Sequence, residues 1–319
     1  MDNLLYQVLL SEIREKFAKK STMVNTLAEI LRIEKGAVYR RLRQEVPFTF
    51  NEIAVISRRL KISLDNMIGI DFQRSIPFEL QLPNFALPEE PDYNILNNYT
   101  AFVRSLTQSE NSEIASISNV LPADLSAGFH YLSLVDLFKW NFHYNTEKMK
   151  PFHKIIIAPK IKKFLSEYSM ELKKFNKASY VFDNRIFQLF VDDIKYFNTI
   201  RLIEKDEIAK IKEDLLSMLD YLEEMAISGQ FKETGNSVNL YISDIEVKTS
   251  YTYMETKDIY FSMVKMFILS AVTSVDKNTF EKMKNWIHSL IKISTLITLT
   301  NEKQRVLYFE NQRKIVSEL

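Results

Sequence analysis

At 319 residues the chain exceeds one ordinary small domain, so two are expected, and an apolar fraction of 46% is ample for a large core. Only 5 glycines and 8 prolines argue against a many-stranded barrel or sandwich and for long helices, while the absence of cysteine excludes disulfides, thiolate metal sites and thiol redox switches. The net charge of +1 hides an asymmetry: residues 14–61 carry twelve Lys/Arg against five Glu, a net of +7, whereas residues 73–319 carry 30 basic and 32 acidic residues, a net of −2. A basic head on a near-neutral body is the footprint of a nucleic-acid module; the alternative is a solvated basic helix face.

The first predicted helix covers residues 3–19, with Leu4, Val8, Leu9, Ile13 and Phe17 at helical spacing. Its Glu12, Arg14 and Glu15 interrupt the apolar pattern, so it is not expected to be a secretory leader. No run of about 18 uncharged apolar residues offers a membrane span, and a cytoplasmic location is expected. Ser21 or Thr22 is the expected cap of a second helix over 23–31, with Val24, Leu27, Ala28 and Leu31 inward. A turn at 32–34 buries Ile33. The third helix, 35–44, turns Ala37, Val38 and Leu42 inward and leaves Lys35, Gly36, Tyr39, Arg40 and Arg43 outward. A small residue in the first turn and cations along one side are what a helix lying in a major groove needs. Thr49 and Glu52 have the spacing of a capping box at the start of a fourth helix with Ile53, Ile56 and Leu60 as its stripe. A fifth, short helix over 64–68 closes at Gly69.

Residues 27–69 resemble the lambda-repressor-like, Cro-type helix-turn-helix family, also called the xenobiotic-response-element type, and the segment VYRRLRQEVPFTFNEI is similar to its BetR-like branch. Leu27-Ala28-Glu29 matches the start of the first motif helix, Ile33 the turn hydrophobe and Val38 the buried residue of the recognition helix. Leu60-Lys61-Ile62-Ser63-Leu64-Asp65 matches the closing signature. The resemblance implies sequence-specific binding of double-stranded DNA by a homodimeric transcription regulator. Lys35, Gly36, Tyr39, Arg40 and Arg43 are then the base-reading set, and Thr22, Arg41, Arg58 and Arg59 the candidate phosphate contacts. Arg32 and Gln44 stand where the family has glycine, and Arg41 where it often has an aromatic residue, so a small rotation of the recognition helix is expected.

Four prolines between 77 and 91 end the periodicity, and residues 72–93 read as a semi-rigid connector between a DNA-binding domain over 1–71 and a second domain over 94–319. In the second domain, helices are predicted over 94–106, 124–144, 159–175, 184–200, 204–227 and from 276 onward, with a last helix over 302–316. A short strand is predicted over 112–121. Alternation over 237–244 and 246–254, followed by 259–267, predicts a small antiparallel meander. The expected class is therefore mostly α: a five-helix first domain and an α+β second domain with a small antiparallel sheet flanked by helices.

The four histidines (His130, His143, His153 and His288) lack metal-ligand spacing, and Asp192-Asp193 and Glu223-Glu224 are helix neighbours that do not face each other. With no phosphate-binding glycine loop either, no catalytic residue, cofactor or metal is expected. The lysines of 160–174 read as a solvated face, and the aromatics of 129–142 as core. The second domain reads as an effector-sensing or dimerisation module, with residues 280–319 contributing to a dimer. The competing reading is a protein-docking module on the same helical scaffold that never touches DNA.

Overall fold

Apolar residues at helical spacing drive the first part of the chain into short helices that bury one stripe each. The computed structural model describes residues 2–17, 19–60, 62, 64, 78–144 and 150–319, and the chain divides into two compact units, Met1–Pro77 and Phe78–Leu319. In the first unit, α1 (Asp2–Glu15), α2 (Lys20–Leu31), α3 (Lys35–Leu42) and α4 (Phe50–Leu60) enclose Leu9, Leu10, Ile13, Leu27, Val38, Leu42 and Ile56. α2 starts a turn earlier than its Ser and Thr suggested: Lys19 is the N-cap, and Ser21 and Thr22 lie inside the helix. α4 carries the capping box, with Thr49 N–H donating to Glu52 Oε2 (2.8 Å) and Glu52 N–H to Thr49 Oγ1 (3.3 Å). Residues 65–69 of the expected fifth helix and 72–77 of the expected connector lie outside the described residues.

The second unit runs β1 (Glu79–Leu80), α5 (Glu90–Thr107), β2 (Glu113–Ser118), α6 (Ala123–Ser126), α7 (His130–Tyr144), α8 (Pro159–Leu172), β3 (Lys177–Asp183), α9 (Ile186–Thr199), α10 (Lys205–Ser228), β4 (Ser237–Ser243), β5 (Tyr251–Glu255), β6 (Tyr260–Met266), β7 (Ser270–Ser274), α11 (Lys277–Ile293), β8 (Thr295–Leu296) and α12 (Glu302–Ser317). From Phe78 onward the expected connector already belongs to this unit. β1 pairs with β7, Phe85 is buried, and α5 starts at Glu90 because Pro91 in a first helical turn gives up no hydrogen bond.

The small antiparallel sheet expected from the alternation is corrected to an eight-stranded mixed sheet, in the order β1-β7-β6-β5-β2-β3-β4-β8. β2, β3 and β4 are parallel, with Ile114 opposite Ala178 and Ala178 opposite Val238. β5, β6 and β7 form an antiparallel meander that joins the free side of β2. β4 therefore does not begin the meander; the helices between the parallel strands carry the chain back for each crossover.

The pleat divides the sheet into two faces. Ile114, Tyr180, Phe182, Leu240 and Phe261 look to one side, into the main core with α7, α9 and α10. Ala115, Ile117, Val181 and Tyr253 look to the other, where α11 covers them with Phe280 and Ile287. α10 stops at Gly229, whose φ of +70° suits glycine; a Cβ there would also meet Leu299 Cδ1 at 2.9 Å. The last helix, expected to be free for pairing, packs on α9 and α10 and buries Phe309, Gln312 and Val316.

Candidate nucleic-acid interface

Val38 and Leu42 fix the phase of α3, because both are buried in the first unit's core. That phase leaves Lys35, Gly36, Tyr39, Arg40 and Arg43 exposed. The side chains of Arg40 and Arg43 are 63% and 69% exposed, and their only described ion pairs are long ones to Glu45, at 3.8 and 3.7 Å. Exposed pairs of that length contribute about 0–1 kcal/mol, so both guanidinium groups are free to be recruited. A Cβ built on Gly36 meets nothing within 4 Å. Its lack of a side chain is therefore not needed for packing and leaves room for something to approach the backbone.

Arg41 behaves differently. Its Nη2 lies 2.7 Å from Glu52 Oε1, its Nε donates to Oε2 (3.0 Å) and its Nη1 to Ala37 O (3.3 Å). Only 16% of each side chain of this bidentate pair is exposed. Burial alone would raise the Glu52 carboxyl, but Arg41 and the Thr49 amide together hold it below the usual carboxylate range. The geometry assigns Arg41 to tying α3 to the capping box of α4, and not to a phosphate.

The remaining candidates are spread over other helices. Thr22 is exposed in the first turn of α2, and Arg58 and Arg59 are exposed in the last turn of α4. Lys20, absent from the candidates drawn from sequence, comes to the face of α3: its ammonium stands 5.9 Å from the Tyr39 ring, and the Arg43 guanidinium 6.0 Å from the same ring. The signal was obscured because Ser21 and Thr22 looked like caps and put Lys20 outside the helix. Neither α2 nor α3 has a side-chain cap or an acidic residue in its first turn. Their leading N–H groups, unpaired within any helix, point toward an anion-binding role.

The turn between α2 and α3 is held by Ile33 N–H donating to Ala28 O (3.1 Å), with Arg32 in the left-handed region at φ 55°. Gln44, after α3, has φ 65°, and its Oε1 accepts from Gln7 Nε2 at 2.7 Å. Both positions where glycine was expected by resemblance thus adopt a conformation that glycine tolerates best.

Elsewhere, His130 and His143 are exposed, His153 lies 3.9 Å from Glu207, and His288 Nε2 lies 2.8 Å from the Tyr253 hydroxyl. Among the described residues no group of His, Asp or Glu could hold a metal ion, and no helix is long and apolar enough to cross a membrane. Asp193 pairs with Lys139, while Asp192 accepts from Gln188 Nε2 (2.8 Å). Lys173, read as part of a solvated face, is instead buried against Glu233 at 2.6 Å. No family model, curated protein or solved structure matches this chain.

Proposed function

We propose that the chain is a sequence-specific DNA-binding transcription regulator in which α3 reads the major groove through Lys35, Tyr39, Arg40 and Arg43, with Gly36 admitting the duplex close to the backbone. The observation that carries this reading is the division of labour on α3: Val38 and Leu42 are buried, Arg41 is held by Glu52, and the remaining cations stand exposed on one face. The net of +7 over residues 14–61 supplies attraction to phosphate. Lys20, Thr22, Arg58 and Arg59 are the backbone contacts in this reading. The second unit serves as the effector-sensing or dimerising body, and the protein acts as a homodimer in the cytoplasm without catalysis. Trp286 and Ile293 on α11 and Leu307 on α12 are exposed apolar side chains in the region proposed for pairing.

The test starts from a duplex selected by the full chain out of a random-sequence pool. Arg40→Ala and Arg43→Ala are expected to weaken binding to it by about 1–3 kcal/mol each and to relax the preference at the contacted base. Arg58→Ala is expected to weaken all duplexes alike and to lower the salt slope by about one. Full affinity in both α3 variants would refute the assignment of α3. Absence of affinity for any duplex at low salt would transfer the exposed face to a protein partner.

A further inference from the structure

Over the carboxyl ends of β2 and β3 the second unit holds a cavity of ≈ 230 Å³, the position at which sheets with parallel strands commonly receive ligands. Asp136 and Lys139 reach it from α7, Asp193 from α9 and Lys265 from β6. Its apolar wall includes Ile186 and Phe190 of α9 and Phe267 and Ile268 of the β6–β7 turn.

Lys248, in the segment before β5, also lines the cavity, and three of the five charges already pair: Lys139 donates directly to Asp193, and Lys248 to Glu246. The other two do not. Among the described residues, neither the Asp136 carboxylate nor the Lys265 ammonium has a hydrogen bond or an ion pair within 4.0 Å. Burial pushes the Asp136 carboxyl up and the Lys265 ammonium down, and in each case the charge of the other opposes the shift. The fully buried charges Glu171, Lys173 and Asp183 are by contrast satisfied internally: Glu171 takes Arg104 and Lys174, Lys173 takes Glu233, and Asp183 accepts the amides of Arg185 and Val247. Both the Asp136 and Lys265 side chains are half-buried and open onto the cavity, so a ligand of matching charge would take the place of the water that hydrates them there.

We propose that this cavity binds a small zwitterion, an α-amino acid with an apolar side chain, with its ammonium on Asp136, its carboxylate on Lys265 and its side chain against Ile186, Phe190 and Phe267. A simple anion would meet Asp136 and Asp193. A simple cation would meet Lys139 and Lys265. A neutral apolar molecule would leave both unpaired charges without partners. The volume lies below the roughly 300–1,000 Å³ of sites for drug-sized ligands and suits a molecule of amino-acid size. The proposal deepens the effector-sensing reading of the second unit and rests on it for its biological meaning; the binding chemistry stands apart from DNA.

Calorimetric titration of the full chain, without DNA, against the standard L-amino acids is the experiment. The expected result is saturable one-site binding of an apolar member of the set (leucine, isoleucine, methionine or phenylalanine), with its N-acetyl and C-amide derivatives weaker by about tenfold or more. Asp136→Asn and Lys265→Met are each expected to weaken binding to the same degree, whereas Lys163→Ala, outside the cavity, leaves it unchanged. Circular dichroism verifies folding, and the double variant Asp136→Asn/Lys265→Met, which removes both charges together, replaces any single variant that fails to fold. The proposal is overturned if no amino acid gives heat or a melting shift at roughly 10 mM, if the blocked derivatives bind equally well, or if the variants retain affinity. Amino-acid binding by a chain that ignores every duplex would support the cavity and overturn only the regulator reading.

Discussion

In the first unit the cations of α3 face water and are held loosely, whereas in the second Lys173, Glu171, Asp183 and Arg305 are buried and held by internal partners. The difference shows where each unit can afford to be changed. A buried charge that has lost its hydration is committed to its partner. An exposed arginine with a long contact to one carboxylate has given up little and can exchange that contact for another. Arg41 is the intermediate case, an arginine of α3 treated as the second unit treats its charges.

The sharpest way to test the contrast is to remove one charge from each environment. Lys173→Met leaves Glu233 only the Tyr221 hydroxyl (3.1 Å) as a side-chain partner, removes the ammonium that stands 5.0 Å from the Tyr221 ring, and should cost about 1–3 kcal/mol by urea denaturation. Arg43→Ala should stay within about 0.5 kcal/mol of the parent. Equal costs would erase the distinction between the two regions.

A smaller effect comes from the Arg41–Glu52 pair as pH is varied. The folded-state value of Glu52 lies below the ordinary one of about 4.3. Its contribution is therefore complete above that value and is lost as pH falls through the lower, folded one. Hydrogen exchange at Val38, Leu42 and Ile56 should show the first unit loosening on acidification, and Arg41→Ala should flatten that part of the profile. An unchanged profile in the variant would remove Arg41 from its structural role.

The smallest effect on stability is expected at Gly36. Gly36→Ala meets open space and should be neutral or stabilise α3 by about 0.5–1 kcal/mol. In the proposed reading it nevertheless weakens binding to the selected duplex, because the new methyl group enters the approach path. Unaltered affinity would leave Gly36 with no part in recognition.

Strong local patterns carried much of the helical architecture. α10 was legible because Ile211, Leu215 and Leu222 repeat with the helix and Gly229 ends it. α4 was legible through Thr49 and Glu52. The sheet was not, because β3 (KASYVFD) is buried on both faces and shows no alternation, while β7 merges with β6 into one apolar run. The break between α6 and α7, at 127–129, sits inside an apolar stretch with no proline to mark it. For the candidate interface, helix phase alone sufficed to place Tyr39, Arg40 and Arg43 outward. The engagement of Arg41 depends on Glu52, eleven positions away on another helix, which no local pattern encodes. The cavity charges are further apart still: Asp136, Asp193 and Lys265 meet only after the sheet has assembled.

The place of β2 in the sheet also sets an order of events on the ribosome. A contact that closes the first unit, Phe48 N–H donating to the Tyr6 hydroxyl, spans 42 positions, so that unit can mature while little of the chain has emerged. β2 pairs one edge with β3 but receives its other neighbour, β5, much later; Ser116 meets Thr252 across 136 positions. At about 5–20 residues per second, that edge waits for several seconds of synthesis. Ala115 and Ile117, apolar residues on a strand that still lacks one of its two neighbours, are then open to mispairing until β5 is made.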